Sequence, residues 1–278
     1  MKLKTIVAAT LLGVSSFAAN AAPVTLDLFD DPLLQRVEDS TVNSTAVTDD
    51  YTSLISGQIL GDVRDLSIDL TSSLYGGSAR LGVSNGYLSW SNDSGARSQA
   101  IVQWDGTAGS ILNPIGLGSF NLLAACGGIG CTSINAIVMD ADLGFNYEIR
   151  IYTDGDNYTI LRSGSVGGVP DDFAAPYNST YDLDWFAYAT GNYFEDGLPF
   201  SITRVGAGAN LTDVGAMEFM MENPLNQQCF KADGGLEPCR ADIDVTLDNI
   251  RAVPEPASMA LAGLGLLGLA ALRRRKQA

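Results

Sequence analysis

Short runs of alternating apolar and polar residues, separated by glycine-centred turns, recur along most of this 278-residue chain. Side chains of an extended strand point alternately to the two faces of a sheet, so a period of two builds half-buried strands rather than helices. Leu66, Ile68 and Leu70 alternate with polar neighbours, as do Tyr147, Ile149 and Ile151, then Tyr158 and Ile160, then Ile243, Val245 and Leu247. Between such runs lie Gly76-Gly77, Asn85-Gly86, Asp105-Gly106, Asp154-Gly155, Gly167-Gly168, Gly191-Asn192 and Gly234-Gly235, which carry the chemistry of tight turns. Asp154-Gly155-Asp156-Asn157, between the strands read at 149–152 and 158–161, predicts a hairpin. No stretch reads as a convincing amphipathic helix. Many short strands with such turns predict an all-β fold of antiparallel sheets packed as a β-sandwich or jelly roll.

No linker or internal repeat divides the middle of the chain, so residues 22–252 are read as one β domain. Two stretches read as long loops or insertions: the Gly-rich 106–130, and 173–197, dense in Tyr, Trp and Asp. The four cysteines, Cys126, Cys131, Cys229 and Cys239, form an even set that allows three pairings. Pairing 126 with 131 and 229 with 239 is preferred, because each bond then closes a short loop without assuming distant contacts. Such local bridges staple loops and add little global stability, since the entropy removed grows with loop length. They suit an oxidising compartment.

Charge is unevenly spread. All thirty-two acids fall between positions 27 and 255, against ten basic residues there, a net of −22. A surface this acidic repels nucleic acid, which is recognised through basic patches, and it helps keep an exported chain soluble.

The remaining basic residues mark the ends. Lys2 and Lys4 precede an apolar stretch over 6–18, and Ala19-Asn20-Ala21 follows with small residues at the two positions a signal peptidase inspects. Residues 1–21 are therefore read as a secretory signal peptide, with Ala22 as the mature start. At the other end, Val253-Pro254-Glu255-Pro256 precedes an apolar run over 257–272, and then come Arg273, Arg274, Arg275 and Lys276. The prolines stop a helix from propagating backward, so the apolar run is read as a separate transmembrane helix. At the helical rise it spans about 24 Å, a marginal length for a bilayer core. The basic cluster resists crossing, which places the C-terminus in the cytoplasm and the acidic domain outside.

This arrangement over 253–276 resembles the PEP-CTERM sorting signal. The resemblance implies transit through the inner membrane, processing by exosortase near 254–256, and delivery to the outer envelope, cell surface or extracellular matrix. The last strand, read at 242–252 and running straight into the prolines, is similar to the closing strand of jelly-roll domains that carry this tail. The resemblance implies nothing about what the domain binds.

The chain contains no histidine, which removes Ser-His-Asp and Cys-His catalysis and histidine metal sites. No phosphate-binding loop or dinucleotide fingerprint is present. Calcium is the metal such a chain could take, since it is bound by oxygens alone. Its candidate ligands are Asp154 and Asp156 in the hairpin turn, Asp182 and Asp184 on one strand face, and Asp242 and Asp244 on the last strand. Candidate carbohydrate-stacking residues are Tyr181, Trp185, Tyr188 and Tyr193, with Phe194 and several acids nearby; Trp90 and Trp104 read as core. The expected function is that of an exported, non-enzymatic surface or matrix protein, with candidate polysaccharide and calcium binding. The alternatives are a structural matrix component without a ligand and a two-carboxylate carbohydrate-active hydrolase.

Overall fold

The computed structural model of the chain describes residues 22–30, 33–109, 111–127, 130–142, 144–164, 177–195, 198–223, 228–230, 236–238 and 243–254. In chain order the strands are β1 (Val24–Asp27), β2 (Gln35–Asp39), β3 (Val47–Thr52), β4 (Val63–Ser73), β5 (Ala79–Ser84), β6 (Tyr87–Asn92), β7 (Ala96–Trp104), β8 (Ser133–Ala141) and β9 (Asn146–Tyr152). They continue with β10 (Tyr158–Ser163), β11 (Tyr177–Asp182), β12 (Gly191–Glu195), β13 (Leu198–Val205), β14 (Ala216–Glu222), β15 (Gln228–Phe230), β16 (Leu236–Pro238) and β17 (Ile243–Val253). Two short helices, α1 (Leu122–Ala125) and α2 (Leu183–Tyr188), interrupt them.

The strands form two large antiparallel sheets and a small β15–β16 ribbon. One sheet runs β11-β8-β17-β6-β5-β2, with β1 also on β17; the other runs β12-β13-β10-β9-β14-β7-β4-β3. Their inner faces meet in a single core that takes Leu81, Leu88, Trp90, Ile134, Val245 and Leu247 from the first sheet and Leu66, Ile68, Val102, Ile149 and Phe219 from the second. Trp90 of β6 donates its indole N–H to Ser98 Oγ of β7 at 2.9 Å, and Tyr147 of β9 donates to Ser179 Oγ of β11 at 2.7 Å. Buried polar tips that would otherwise be costly are thus satisfied across the layers. The fold is all-β and antiparallel; the strand order alone does not define a jelly roll.

Local chemistry explains the hairpins. Asn85 (φ 52°) and Gly86 (φ 84°) both take the left-handed backbone that a two-residue β-hairpin requires. The turn at 153–157 joins β9 to β10 with Tyr152 opposite Tyr158. In β10 the inward face differs from the sequence reading. Thr159, Leu161 and Ser163 are buried while Tyr158 and Ile160 are only partly covered. Thr159 Oγ1 donates to Phe186 O at 2.8 Å and accepts from Ala209 N at 2.9 Å, so the hydroxyl is spent inside the fold.

The stretch read as a second insertion, 173–197, is built from secondary structure within its described part: β11, α2 and β12 follow one another there. The helix was missed because one and a half turns are too short to show a 3.6-residue period. Among its described residues the first stretch, 106–130, is loop apart from α1, whose N-cap Asn121 accepts from Ala124 N at 2.9 Å. Neither helix is long enough to cross a membrane, and no described helix is. The predicted signal peptide 1–21 and transmembrane helix 257–272 lie outside the described residues.

Candidate functional site

The sorting junction is held by the middle of a sheet. β17 has β8 along one side; on the other it pairs first with β6 and then, beyond the start of β6, with β1. Val24 sits opposite Ala252 and Thr25 opposite Arg251. The start of β1 and the end of β17 therefore emerge side by side at one pole. Val253 O accepts from Thr132 N at 2.9 Å and Thr132 Oγ1 at 3.4 Å, and Thr132 O accepts from Leu183 N at 2.8 Å. A disulfide between Cys126 and Cys131 closes the loop just before Thr132. The strand is thus anchored through its last residue, and Pro254, with no N–H to continue a ladder, ends the pairing. Glu255, Pro256 and the basic residues 273–276 lie outside the described residues, as do Cys239 and Asp242 and the side chain of Cys229.

The aromatic candidates divide into buried and exposed. Tyr181 is buried, and its hydroxyl lies 2.6 Å from that of Tyr147, which makes it a core residue. Trp185 is half-covered, stacking on Phe200 at 4.7 Å. Tyr193 lies nearly parallel to Phe200 at 5.3 Å and to Trp185 at 6.4 Å. Tyr188 and Phe194 are 78% and 72% exposed. Tyr193 pairs with Phe200 across β12 and β13 and shares its face, whereas Phe194, the next residue of the strand, projects to the opposite face; the aromatic surface that could meet a sugar is therefore Tyr193 over Trp185 and Phe200.

The acid candidates do not converge. Asp154 turns its carboxylate onto its own turn: Oδ1 accepts from Asp156 N, Asn157 N and Asn157 Nδ2 at 2.8–2.9 Å. These donors, with the Asn157 amide foremost, hold its pKa below the ordinary carboxylate value. Asp182 and Asp184 do not share a strand face, because β11 ends at Asp182 and Asp184 lies in the first turn of α2. Asp244 N donates to Asp142 Oδ1 at 2.7 Å. Among the described residues no three Asp, Glu or Cys side chains are grouped to hold a metal ion.

Three polar clusters escaped the sequence reading. Asp27 is fully buried; it accepts from Arg64 Nη1 at 3.0 and 3.1 Å, Trp104 Nε1 at 2.8 Å and Phe29 N at 2.9 Å. Burial pushes its pKa up to about 6, against the pull of Arg64, so it remains a carboxylate at neutral pH. Arg64 is equally buried, donates to Gln35 Oε1 at 2.9 Å, and lies over the rings of Phe29 and Tyr51. A second cluster, on the outer face of the other sheet, joins Glu218 to Gln103 Nε2 at 2.7 Å and Tyr152 Oη at 2.5 Å, and Glu148 to Arg150 at 2.6 Å and to Arg162. In the third, Asp65 of β4 sits directly opposite Asp50 of β3. No donor meets either Asp65 oxygen in hydrogen-bonding geometry. Burial, then the charges of Asp50 and Asp105, push its pKa up to about 7. Both oxygens are shielded from solvent, which places this carboxyl out of a substrate's reach. A charged residue within an apolar alternation is the one signal that could have flagged Asp27 and Arg64. The side chains that cover them lie far away in sequence.

The fold and junction define a class: an antiparallel all-β domain whose strand β17 runs to Val253 and ends at Pro254. Residues 252–276 match the family model described as the PEP-CTERM protein-sorting motif. The chain therefore carries the mark of an exported protein sorted by exosortase toward the cell surface. No curated protein and no solved structure matches it.

Proposed function

We propose that this protein is a non-enzymatic component of the outer envelope or extracellular matrix that holds extracellular polysaccharide after release from the inner membrane. In this reading signal peptidase removes residues 1–21 and exosortase acts on the tail near 254–256. The observation that carries it is the sorting motif, matched over 252–276 and fed directly by the clamped end of β17. Sugar would be met at Tyr193 and the half-covered Trp185 it stacks on, where exposed ring surface can cover the apolar face of a pyranose. Calcium enters the reading as a bridge between exposed acids and acidic glycans, not through a preformed cage. The closing-strand position of β17 supports a jelly-roll relationship. Against catalysis stand the lack of histidine and the shielding of Asp65.

A glycan array probed with the folded protein, with and without chelator, tests the reading. We expect binding to extracellular polysaccharide that falls at least about twofold in a Tyr193→Ala variant, in line with about 0.5–1.5 kcal/mol for one aromatic contact. Absence of glycan binding at every calcium level would reduce the protein to a ligand-free matrix component. Release of reducing sugar would instead make it a hydrolase.

A further inference from the structure

Loops pack together at the pole where β1 begins and β17 ends. Gly61 of the β3–β4 connection packs against Gly106 and Leu117; Gly86 lies against Asp30 of the segment after β1. Leu117 N donates to Gly215 O at 2.9 Å, Leu122 N to Leu211 O at 2.9 Å and Cys131 N to Leu123 O at 2.8 Å, which ties the layer to the end of β17.

The layer is unusual in charge. Within a region of net −22, residues 53–61 and 106–139 contain no Asp, Glu, Lys or Arg, and acids border them: Asp62, which accepts from Gly57 N at 3.3 Å, Asp30 beside Gly86, and Asp154 and Asp156 of the turn that packs on Pro114. It also carries exposed apolar side chains. Leu54 is 78% and Ile111 84% exposed, and Leu34, Ile55 and Ile115 stand out beside them. A single exposed leucine calls for no explanation. Leu54, Ile55, Ile111 and Ile115 project from stretches without charge, at the pole where β17 ends, and form apolar tips within an acidic border.

We infer that this pole is a membrane-facing surface: before processing, the domain rests on the outer leaflet of the inner membrane with the 53–61 and 106–117 loops in the headgroup layer. Apolar loop tips gain by entering the interface, while the acidic flanks of the domain are repelled by anionic headgroups. The tail holds the pole against the leaflet, so weak contacts act at high effective concentration. After the tail is cut that advantage ends, and the same weak contacts let the domain leave. The inference rests on the reading of 257–272 as a membrane segment.

The test uses the full chain in vesicles of phosphatidylethanolamine and phosphatidylglycerol, with acyl chains brominated near the headgroup. Leu54→Trp and Ile111→Trp report on the pole, and Leu74→Trp, on the β4–β5 turn at the far end, is the control. The parent's own tryptophan signal is subtracted, and each variant is first shown to melt as the parent does. Flotation reports separately whether the chain is membrane-bound. We expect bound chains whose added tryptophan at 54 or 111 is quenched about twofold or more relative to 74, as interfacial insertion requires. Bound chains with equal quenching at all three positions would overturn the inference and leave the tail reading intact. Chains that fail to float would remove both. Shielding of 54 and 111 only in membranes that contain the sorting enzyme would make the surface a protein contact and overturn the inference as well.

Discussion

Arg64 and Asp27 show how a charge pair is set inside an all-β core. Neither has contact with solvent, and each satisfies the other together with Gln35, Trp104 and the Phe29 amide. Removing one partner leaves the other charge buried and unpaired, which is far costlier than losing an exposed ion pair. Arg64→Met is expected to destabilise the domain by about 3–5 kcal/mol, read from the urea midpoint at constant slope. Asp65 works in the opposite sense. Its carboxyl titrates near 7 in the folded chain and near the ordinary 3.8 when unfolded. Between those values the folded state holds the extra proton, so stability falls as pH rises through the window. Asp65→Asn should therefore gain on the parent from pH 4 to pH 7 and then level off. With solvent screening the gain is on the order of 1 kcal/mol, or about 2–4 °C in melting temperature. A gap that narrows with rising pH would contradict this account.

At the scale of the element, β10 is the instructive strand. Alternation was correctly read there, but the face was inverted: Thr159, not Ile160, points inward, because its hydroxyl ties α2 to the loop before β14. Thr159→Val keeps the shape and strands the Ala209 N–H, at an expected cost of about 1–3 kcal/mol by urea unfolding, whereas Ile160→Val should cost less. Hydrophobicity alone ranks those two substitutions the other way. The strand at β11 was read through into what is α2, so Asp182 and Asp184 were assigned a common face they do not have. Six residues cannot display a helical period. β17 was legible almost whole, since Ile243, Val245 and Leu247 alternate cleanly and proline marks its end.

At the scale of the whole molecule, β1 and β17 set Val24 opposite Ala252, so the start of the first strand and the end of β17 lie side by side at one pole. Mass spectrometry of the released protein should find neither residues 1–21 nor 273–276; an intact basic tail on released protein would refute processing by a sorting enzyme. The sequence by itself determined the all-β class, the acidic surface and the address. Those depend on local period, composition and a contiguous motif, all of which survive without knowledge of neighbours in space. Only the tertiary structure decided that Tyr181 is core while Tyr188 and Phe194 are exposed, that Asp27 and Arg64 pair across 37 positions, and that the 53–61 loop packs on Gly106 and Leu117. Burial and pairing are properties of contacts between distant segments, and sheet order, which creates those contacts, is not written in the alternation of any one strand.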